Sequence, residues 1–473
     1  MPNTKIVATL GPASSSAEVL SQMFMTGVCV FRLNASHGTQ QQHAESIRLV
    51  RSMAAEMGKS AALLLDLQGP KIRLGRLEIE GCMLETGGEF VITTEPTIGN
   101  CQRASTTYRD FACDVKAGDQ VLLADGTVEL RALESDGVSV RLKVISGGRI
   151  GSNKGINLPG VRVSTPSLTE KDIADLELEF GLAADIDLVA LSFVRTSADV
   201  AQLRERVGNR PARIIAKIEK PEAWDHIEEI LDEADGVMVA RGDLGVEMEL
   251  ERVPPIQKSI IRRARRRGKC VITATQMLES MIEHSTPTRA EVSDVANAIY
   301  DGTDAVMLSA ETSTGRFPAQ AARYMARIAT EAERSINKHG FQELPPSNDP
   351  THAEIVADAT YHAARAARVS AIVVFTSSGS SARLISRYRP PVCIYAMTPN
   401  EVVARQLLVC YGVFPVFAPQ VGSTDEMMQQ MDRLLIDRGY LRPGDAVVFV
   451  AGQPIGRAGT TNLMKLHKIG ELR

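Results

Sequence analysis

Short apolar runs rich in valine, isoleucine and leucine recur along the chain and alternate with segments whose apolar positions follow a helical period. Three come early, in KIVATLGP, VCVFRLNASHG and AALLLDLQGP. Five follow residue 165, in IDLVALSFVR, RIIAKIE, GVMVARGDLG, CVITATQML and DAVMLSAET. Amphipathic stretches such as SADVAQLRERVG and PPIQKSIIRRARRRGK lie between them, so the economical reading is βα repetition. Eight βα units predict an α/β fold built on a closed (β/α)8 TIM barrel, in which functional groups gather at the C-terminal ends of the strands.

The barrel is expected in two parts, residues 1–69 and 166–342. Residues 70–165 break the rhythm with Gly and Asp turns, as in ADGTVEL and ESDGVSVRLKV, and with alternating strands. They predict a small β-barrel lid inserted after the third strand, where such lids occur. The segment ELPPSNDP, 343–350, reads as a linker. Residues 351–473 carry AIVVF, VCIYAM, VFPVF and DAVVFVAG, which predict a separate C-terminal α/β domain.

Polar residues fall where the barrel reading needs them. The first strand ends near Thr9, the second in Arg32, Asn34 and Ser36, the third in Asp66, the fourth in Ser192 and Arg195. The fifth ends in Lys217 and Glu219, the sixth in Arg241 and Asp243, the seventh in Thr275 and Gln276, the eighth in Ser309 and Glu311. Helix capping explains Ser, Asp or Asn at such junctions but not Arg, Lys and Glu. Lys217 and Glu219 are two apart on a strand and so share a face. Glu219 and Asp243, on adjacent strands, make a magnesium pair, and no HExxH competes. Arg32, Arg73 and Lys217 with the metal describe a phosphoryl site, although the chain has no GxxxxGK[ST]. His37 reads either as part of that site or as a turn residue.

Composition narrows the field. The 53 basic and 57 acidic residues give a net charge of -4, which offers no global field for nucleic acid or membrane. The start of the chain is too weakly apolar for a signal peptide, and the seven cysteines show no CxxC, so they are expected as reduced, mostly buried thiols in a cytoplasmic protein. The run RRARRRGK, 262–269, ends a helix and is expected to be a solvated helix end or a subunit contact. In the last domain, FTSSGSSARLISRYRP either cradles a phosphate on Ser377, Ser378, Gly379, Ser380 and Ser381 or simply caps a helix.

The motifs TKIVATLGPAS, RLNASHG, DLQGPKIR, AKIEKPEA, MVARGDLGVE, ITATQMLESM, PTRAEVSDVANAIYDGTDAVMLSAET and GRFP, in this order, resemble pyruvate kinase over essentially the whole chain. The resemblance implies phosphoryl transfer from phosphoenolpyruvate to ADP, with Mg²⁺ (Mn²⁺ as the alternative) on Glu219 and Asp243. It implies that Lys217 and Arg32 neutralise the phosphoryl group and that Ala240, Arg241, Gly242 and Thr275 grip the substrate carboxylate. Arg73, His37, Asn34 and Lys154 are implied nucleotide contacts, and Ser309 and Glu311 belong to the part of the site linked to enolate protonation. Thr196 stands where many members carry a lysine. Asn34, Ser36, Asp66 and the carbonyl of Leu67 match the family's monovalent-cation pocket. Lys71 replaces a glutamate there and is expected to offset Asp66, so that K⁺ is not required. An allosteric sugar-phosphate or AMP effector, with Arg457 as a second contact, and a homotetramer complete the expectations. The competing readings are a metal-dependent aldolase acting on pyruvate enolates and a sugar-phosphate sensor.

Overall fold

A computed structural model describes residues 2–78, 81–183, 186–339, 341, 343–345, 349–455 and 459–471. Its centre is a closed barrel of eight parallel strands in chain order: Lys5–Thr9, Val28–Asn34, Ala62–Asp66, Leu188–Leu191, Arg213–Ile218, Gly236–Ala240, Cys270–Ala274 and Ala305–Leu308. Each expected run forms its strand. Alternation divides the residues between two cores. Ile6, Leu63, Leu65 and Ile214 pack outward under the helices, while Val7, Val30, Leu64 and Ile215 fill the interior. Arg32, Asp66 and Lys217 stand two residues beyond Val30, Leu64 and Ile215, so the same parity turns all three inward at the C-terminal rim.

The insert forms a six-stranded sheet ordered Ile156–Asn157, Gln120–Leu123, Val128–Ser135, Ser139–Ser146, Glu89–Thr93 and Arg103–Ser105, with Cys82–Leu84 paired to Gly148–Ile150 beside it. One apolar core, including Phe90, Phe111 and Leu130, holds it together. Cys82 and Cys101 are joined in a disulfide, their Cα atoms 5.3 Å apart, which corrects the expectation that every thiol is reduced. The pairing depends on the lid's folding, which brings together residues 19 positions apart. Cys113 is exposed, whereas Cys270 and Cys410 are buried.

The C-terminal sheet is ordered Val413–Phe417, Cys393–Thr398, Ala371–Phe375, Ala446–Gly452 and Thr461–Lys468. The first four strands, which are the four expected runs, are parallel. The last is an antiparallel edge strand that the sequence reading missed, because its exposed positions break any continuous apolar run. This domain docks on the N-terminal ends of the barrel strands. Arg405 pairs with Asp187 at 2.7 Å, Arg389 with Asp304 at 2.8 Å, and the Tyr411 N–H donates to Asp304 at 3.0 Å. Within the basic run Arg262 and Arg266 are exposed, Arg263 pairs with Glu228 at 2.6 Å over Trp224 and Arg267 with Asp232 at 2.8 Å, both acids of the barrel, while Arg265 is buried against the Arg387 carbonyl of the C-terminal domain. Among the described residues no helix is long and apolar enough to cross a membrane.

Candidate active site

Four charged side chains meet inside the barrel mouth. Arg32 Nε donates to Asp66 Oδ2 at 2.6 Å, and its Nη1 donates to Thr9 Oγ1 at 3.1 Å. Lys217 Nζ lies 3.2 Å from Asp66 Oδ1, 2.8 Å from Glu219 Oε1 and 2.7 Å from Ser192 Oγ. Glu219 Oε2 accepts the Phe193 N–H at 2.8 Å. Asp66 and Glu219 are each 1% exposed, so the acids sit behind the cations, and the cations form the accessible surface.

The protonation states follow from this packing. Burial alone would lower the Lys217 pKa, but Asp66 and Glu219 outweigh it and hold the ammonium charged. Burial likewise works against the Asp66 carboxylate, and Lys217 with Arg32 overcomes it. For Glu219, burial and the like charge of Asp243 push the carboxyl up against the pull of Lys217. Asp243, at the opening of the helix Arg241–Glu247, remains partly exposed.

A second set of cations faces the lid. Burial lowers the His37 pKa, and the charges of Arg73, Lys71 and Arg32 add to the effect. Arg73 Nη1 donates to the Asn153 carbonyl at 3.1 Å, and the Lys154 carbonyl accepts the Leu74 N–H at 2.8 Å, which fixes the lid segment that carries Lys154 beside Arg73. Asn34 Oδ1 accepts the Ser36 N–H at 3.2 Å, and the Leu67 carbonyl accepts Ser192 Oγ at 2.7 Å. Lys71 departs from expectation. Its ammonium lies 3.9 Å from Asp243 Oδ1, while the partners of Asp66 are Arg32 and Lys217.

Three further expectations change in detail. The Arg241 guanidinium turns away from the mouth onto Asp294, at 2.8 and 2.7 Å, and onto the Thr275 carbonyl at 2.6 Å, so this loop offers backbone rather than a side-chain cation. The Gly242 N–H instead meets Thr275 Oγ1 at 2.7 Å, beside Ala240. Glu311 is 2% exposed and accepts the Leu278 and Ser309 N–H groups at 3.0 and 2.7 Å; burial raises its pKa. It positions two loops. The Ser309 hydroxyl is buried without a partner among the described residues. Thr196 opens the helix Ser197–Val207, its N–H held by Asp199 at 3.0 Å.

Asp294 and Glu247 were missed in the sequence because each lies within a helix, away from any strand end. Glu247 accepts Lys220 Nζ at 2.8 Å and the Asn157 side-chain amide at 2.9 Å, joining lid to barrel.

The description "Pyruvate kinase, barrel domain" matches residues 1–322, and "Pyruvate kinase, alpha/beta domain" matches 354–467. The chain belongs to the pyruvate kinase family. It is 43% identical over 475 residues to pyruvate kinase of Geobacillus stearothermophilus, covering 99% of this chain and 81% of that one. It is 41% identical to the Clostridium acetobutylicum pyruvate kinase, covering 99% and 100%. A crystal structure of a pyruvate kinase from Cryptosporidium parvum superposes with a TM-score of 0.91 at 35% identity, over 99% of this chain and 96% of that one. Pyruvate kinases are phosphotransferases, and the relatives give the aldolase reading no support.

Proposed function

We propose that the barrel mouth transfers the phosphoryl group of phosphoenolpyruvate to ADP, giving pyruvate and ATP. The observation that carries this is the Lys217 ammonium, fixed by Asp66, Glu219 and Ser192 beside the Arg32 guanidinium. Phosphoryl transfer asks for positioned positive charge on the equatorial oxygens more than for a covalent partner. Lys217 and Arg32 supply it, and their buried acids hold them still. Gly242, Ala240 and Thr275 offer backbone and hydroxyl groups to the substrate carboxylate. Arg73, His37, Asn34 and Lys154 face the nucleotide across the lid. Ser309 and Glu311 act as positioning residues on the side where the enolate is protonated.

The donor set fits a divalent cation. Glu219 and Asp243 repel each other, Asp243 is reached by solvent, and no third acid, histidine or cysteine gathers with them among the described residues. Magnesium is bound in this way, through one or two carboxylates and substrate oxygens. When bound, Mg²⁺ or Mn²⁺ would neutralise charge developing on the substrate oxygens. The potassium pocket is already charged: Asp66 is satisfied by Arg32 and Lys217, and Lys71 adds a cation at Asp243. This supports activity without K⁺.

In the C-terminal domain a cavity of about 90 Å³ is lined by Ser377, Ser378, Ser381 and Thr461, among others. Gly379 (φ 79°) donates its N–H to Thr376 Oγ1 at 2.9 Å, and the helix Ser380–Ser386 starts there. A sugar phosphate or AMP suits this hydroxyl-rich loop; Arg457 lies outside the described residues. We assign the protein to the cytoplasm as a homotetramer.

A coupled assay with phosphoenolpyruvate, ADP and Mg²⁺ tests the reading. Wild type should form ATP and pyruvate in equal amounts, and Lys217→Met should lose about 10²–10³-fold in kcat while staying folded. Near-normal turnover in the variant overturns the assignment.

A further inference from the structure

A separate basic cluster lies far from the mouth, where the C-terminal domain meets the N-terminal ends of the barrel strands. A small cavity is lined there by Arg265 and Lys269 of the barrel and by Arg383, Arg387 and Arg389 of the C-terminal domain; Asp304 is the only carboxylate in its wall among the described residues. Acids neutralise two of the five cations. Asp304 pairs with Arg389 and Glu354 with Arg387, each at 2.8 Å.

The other three meet carbonyls. Arg265 Nε and Nη2 donate to the Arg387 carbonyl at 3.3 and 3.2 Å, Arg383 Nη1 to the Ser378 carbonyl at 3.2 Å, and Lys269 Nζ to the Ala234 carbonyl at 2.7 Å. A carbonyl satisfies a hydrogen bond but leaves the net charge in place, and the acids that act on these three, Asp304 on Arg265 and Asp235 on Arg383 and Lys269, do so without direct contact, which leaves the buried charge costly. Burial and the neighbouring Arg389 push Arg265 down to about 9, and burial lowers Arg383 and Lys269 as well. Arg387 Nε is buried without any partner among the described residues.

We propose that this interdomain cavity binds a tetrahedral phosphate-type oxyanion, which ties the barrel to the C-terminal domain. Guanidinium forks match such oxygens in pairs. The cavity is small, which favours the free ion over a nucleotide or sugar ester. Lys269 and Arg383 are half-buried and mark the way in. Because Arg383 also holds the Ser378 carbonyl of the serine loop, the ion would act on the proposed effector site from behind.

Crystals of the wild-type protein soaked in selenate, an anomalous scatterer of the same shape, should show a peak within hydrogen-bond distance of Arg265 and Arg383; an empty cavity at saturating selenate overturns the proposal. In solution, thermal melts should use full-length protein carrying Lys217→Met and Ser381→Glu, so that the mouth and the serine loop contribute nothing. Inorganic phosphate should raise the melting temperature beyond sodium chloride of equal ionic strength, and adding Arg383→Met or Lys269→Met should remove at least about half of the shift. Replacing phosphate with AMP separates the sources. A response to phosphate alone assigns the free ion, and an AMP response that Arg383→Met abolishes assigns an ester head group. A phosphate shift matched by chloride, or unchanged in both variants, overturns the site.

Discussion

At position 71 a lysine follows the turn Gly69–Pro70, and that turn decides which acid it meets. Gly69 takes a left-handed conformation (φ 66°), and a Cβ there would lie 2.8 Å from the Phe193 ring. Only glycine suits it. The chain therefore leaves the barrel wall sharply, so Asp66 stays inside with Arg32 and Lys217 while Lys71 reaches Asp243 at 3.9 Å. Spacing along the sequence brought Lys71 and Asp66 together on paper, but the direction of the turn separates them. We propose that Lys71, by placing a positive charge at Asp243 rather than at Asp66, still removes the need for K⁺. Wild-type activity should persist in tetraalkylammonium buffer free of sodium and potassium, and Lys71→Glu should create a requirement for K⁺. Wild-type activity that collapses there and returns with K⁺ refutes this. A second single-residue test concerns pH. Burial alone would raise the Asp235 carboxyl, but the Ile214 N–H at 2.9 Å and Arg213 at 2.8 Å hold it below its usual 3.8. A carboxyl with a pKa lower in the folded state stabilises that state above the unfolded value, and the contribution fades as pH falls through the folded value. Asp235→Asn should thus be less stable than wild type near neutrality, by about 1–3 kcal/mol, and the deficit should shrink below pH 3.8. Melts that show a constant deficit across this range would contradict it.

Among the elements, the barrel strands were legible because each is buried on both faces and so reads as a continuous apolar run, and their parity also located Arg32, Asp66 and Lys217. Partnerships between elements were not legible. The Cys82–Cys101 bridge, the clamp of Asp294 on Arg241 and the burial of Arg265 all depend on which surfaces meet, and spacing within one element carries no record of that. The same holds for the joint between lid and barrel. Glu247 is 4% exposed and accepts from both Asn157 of the lid and Lys220 of the barrel. Lys220 follows Glu219 directly, and Glu247 lies one helical turn beyond Asp243, so this joint ties lid position to both carboxylates proposed to hold the metal. Removing it should let the lid dwell open, which changes kcat and KM together. We expect Asn157→Ala to lose about tenfold in kcat/KM, equivalent to about 1.4 kcal/mol, and to expose the lid's connecting segments to proteolysis. Unchanged kinetics with unchanged protease resistance would remove Glu247 from this role.

Across the whole molecule, the two ends of the barrel are joined through a single strand. Arg213 opens the strand Arg213–Ile218 at the face where the C-terminal domain docks, and Lys217 stands near its other end with Glu219 just beyond. At the docking face Arg213 Nη2 donates to the Ser378 carbonyl at 3.2 Å, Nε meets Gln406 at 3.3 Å, and Nη1 pairs with Asp235. Ser378 belongs to the serine loop, and Ser381, seven percent exposed, hydrogen-bonds the Thr461 hydroxyl at the wall of the same cavity. An effector that reshapes this loop would therefore pull on the base of the strand that carries Lys217, the lysine proposed to bind the phosphoryl group. It can shift the equilibrium only by binding one state more tightly than the other, and such couplings are typically ~5–150-fold. Two variants separate binding from transmission. Ser381→Glu places a carboxylate where a phosphate would sit and should abolish both the thermal shift and the kinetic response to a panel of sugar phosphates and AMP. Arg213→Ala leaves the loop's hydroxyls in place, so the effector's thermal shift should remain while its effect on the apparent affinity for phosphoenolpyruvate falls. A full kinetic response in Arg213→Ala would mean that the signal crosses the interface elsewhere, and an unaltered response in Ser381→Glu would mean that the serine loop is not the effector site.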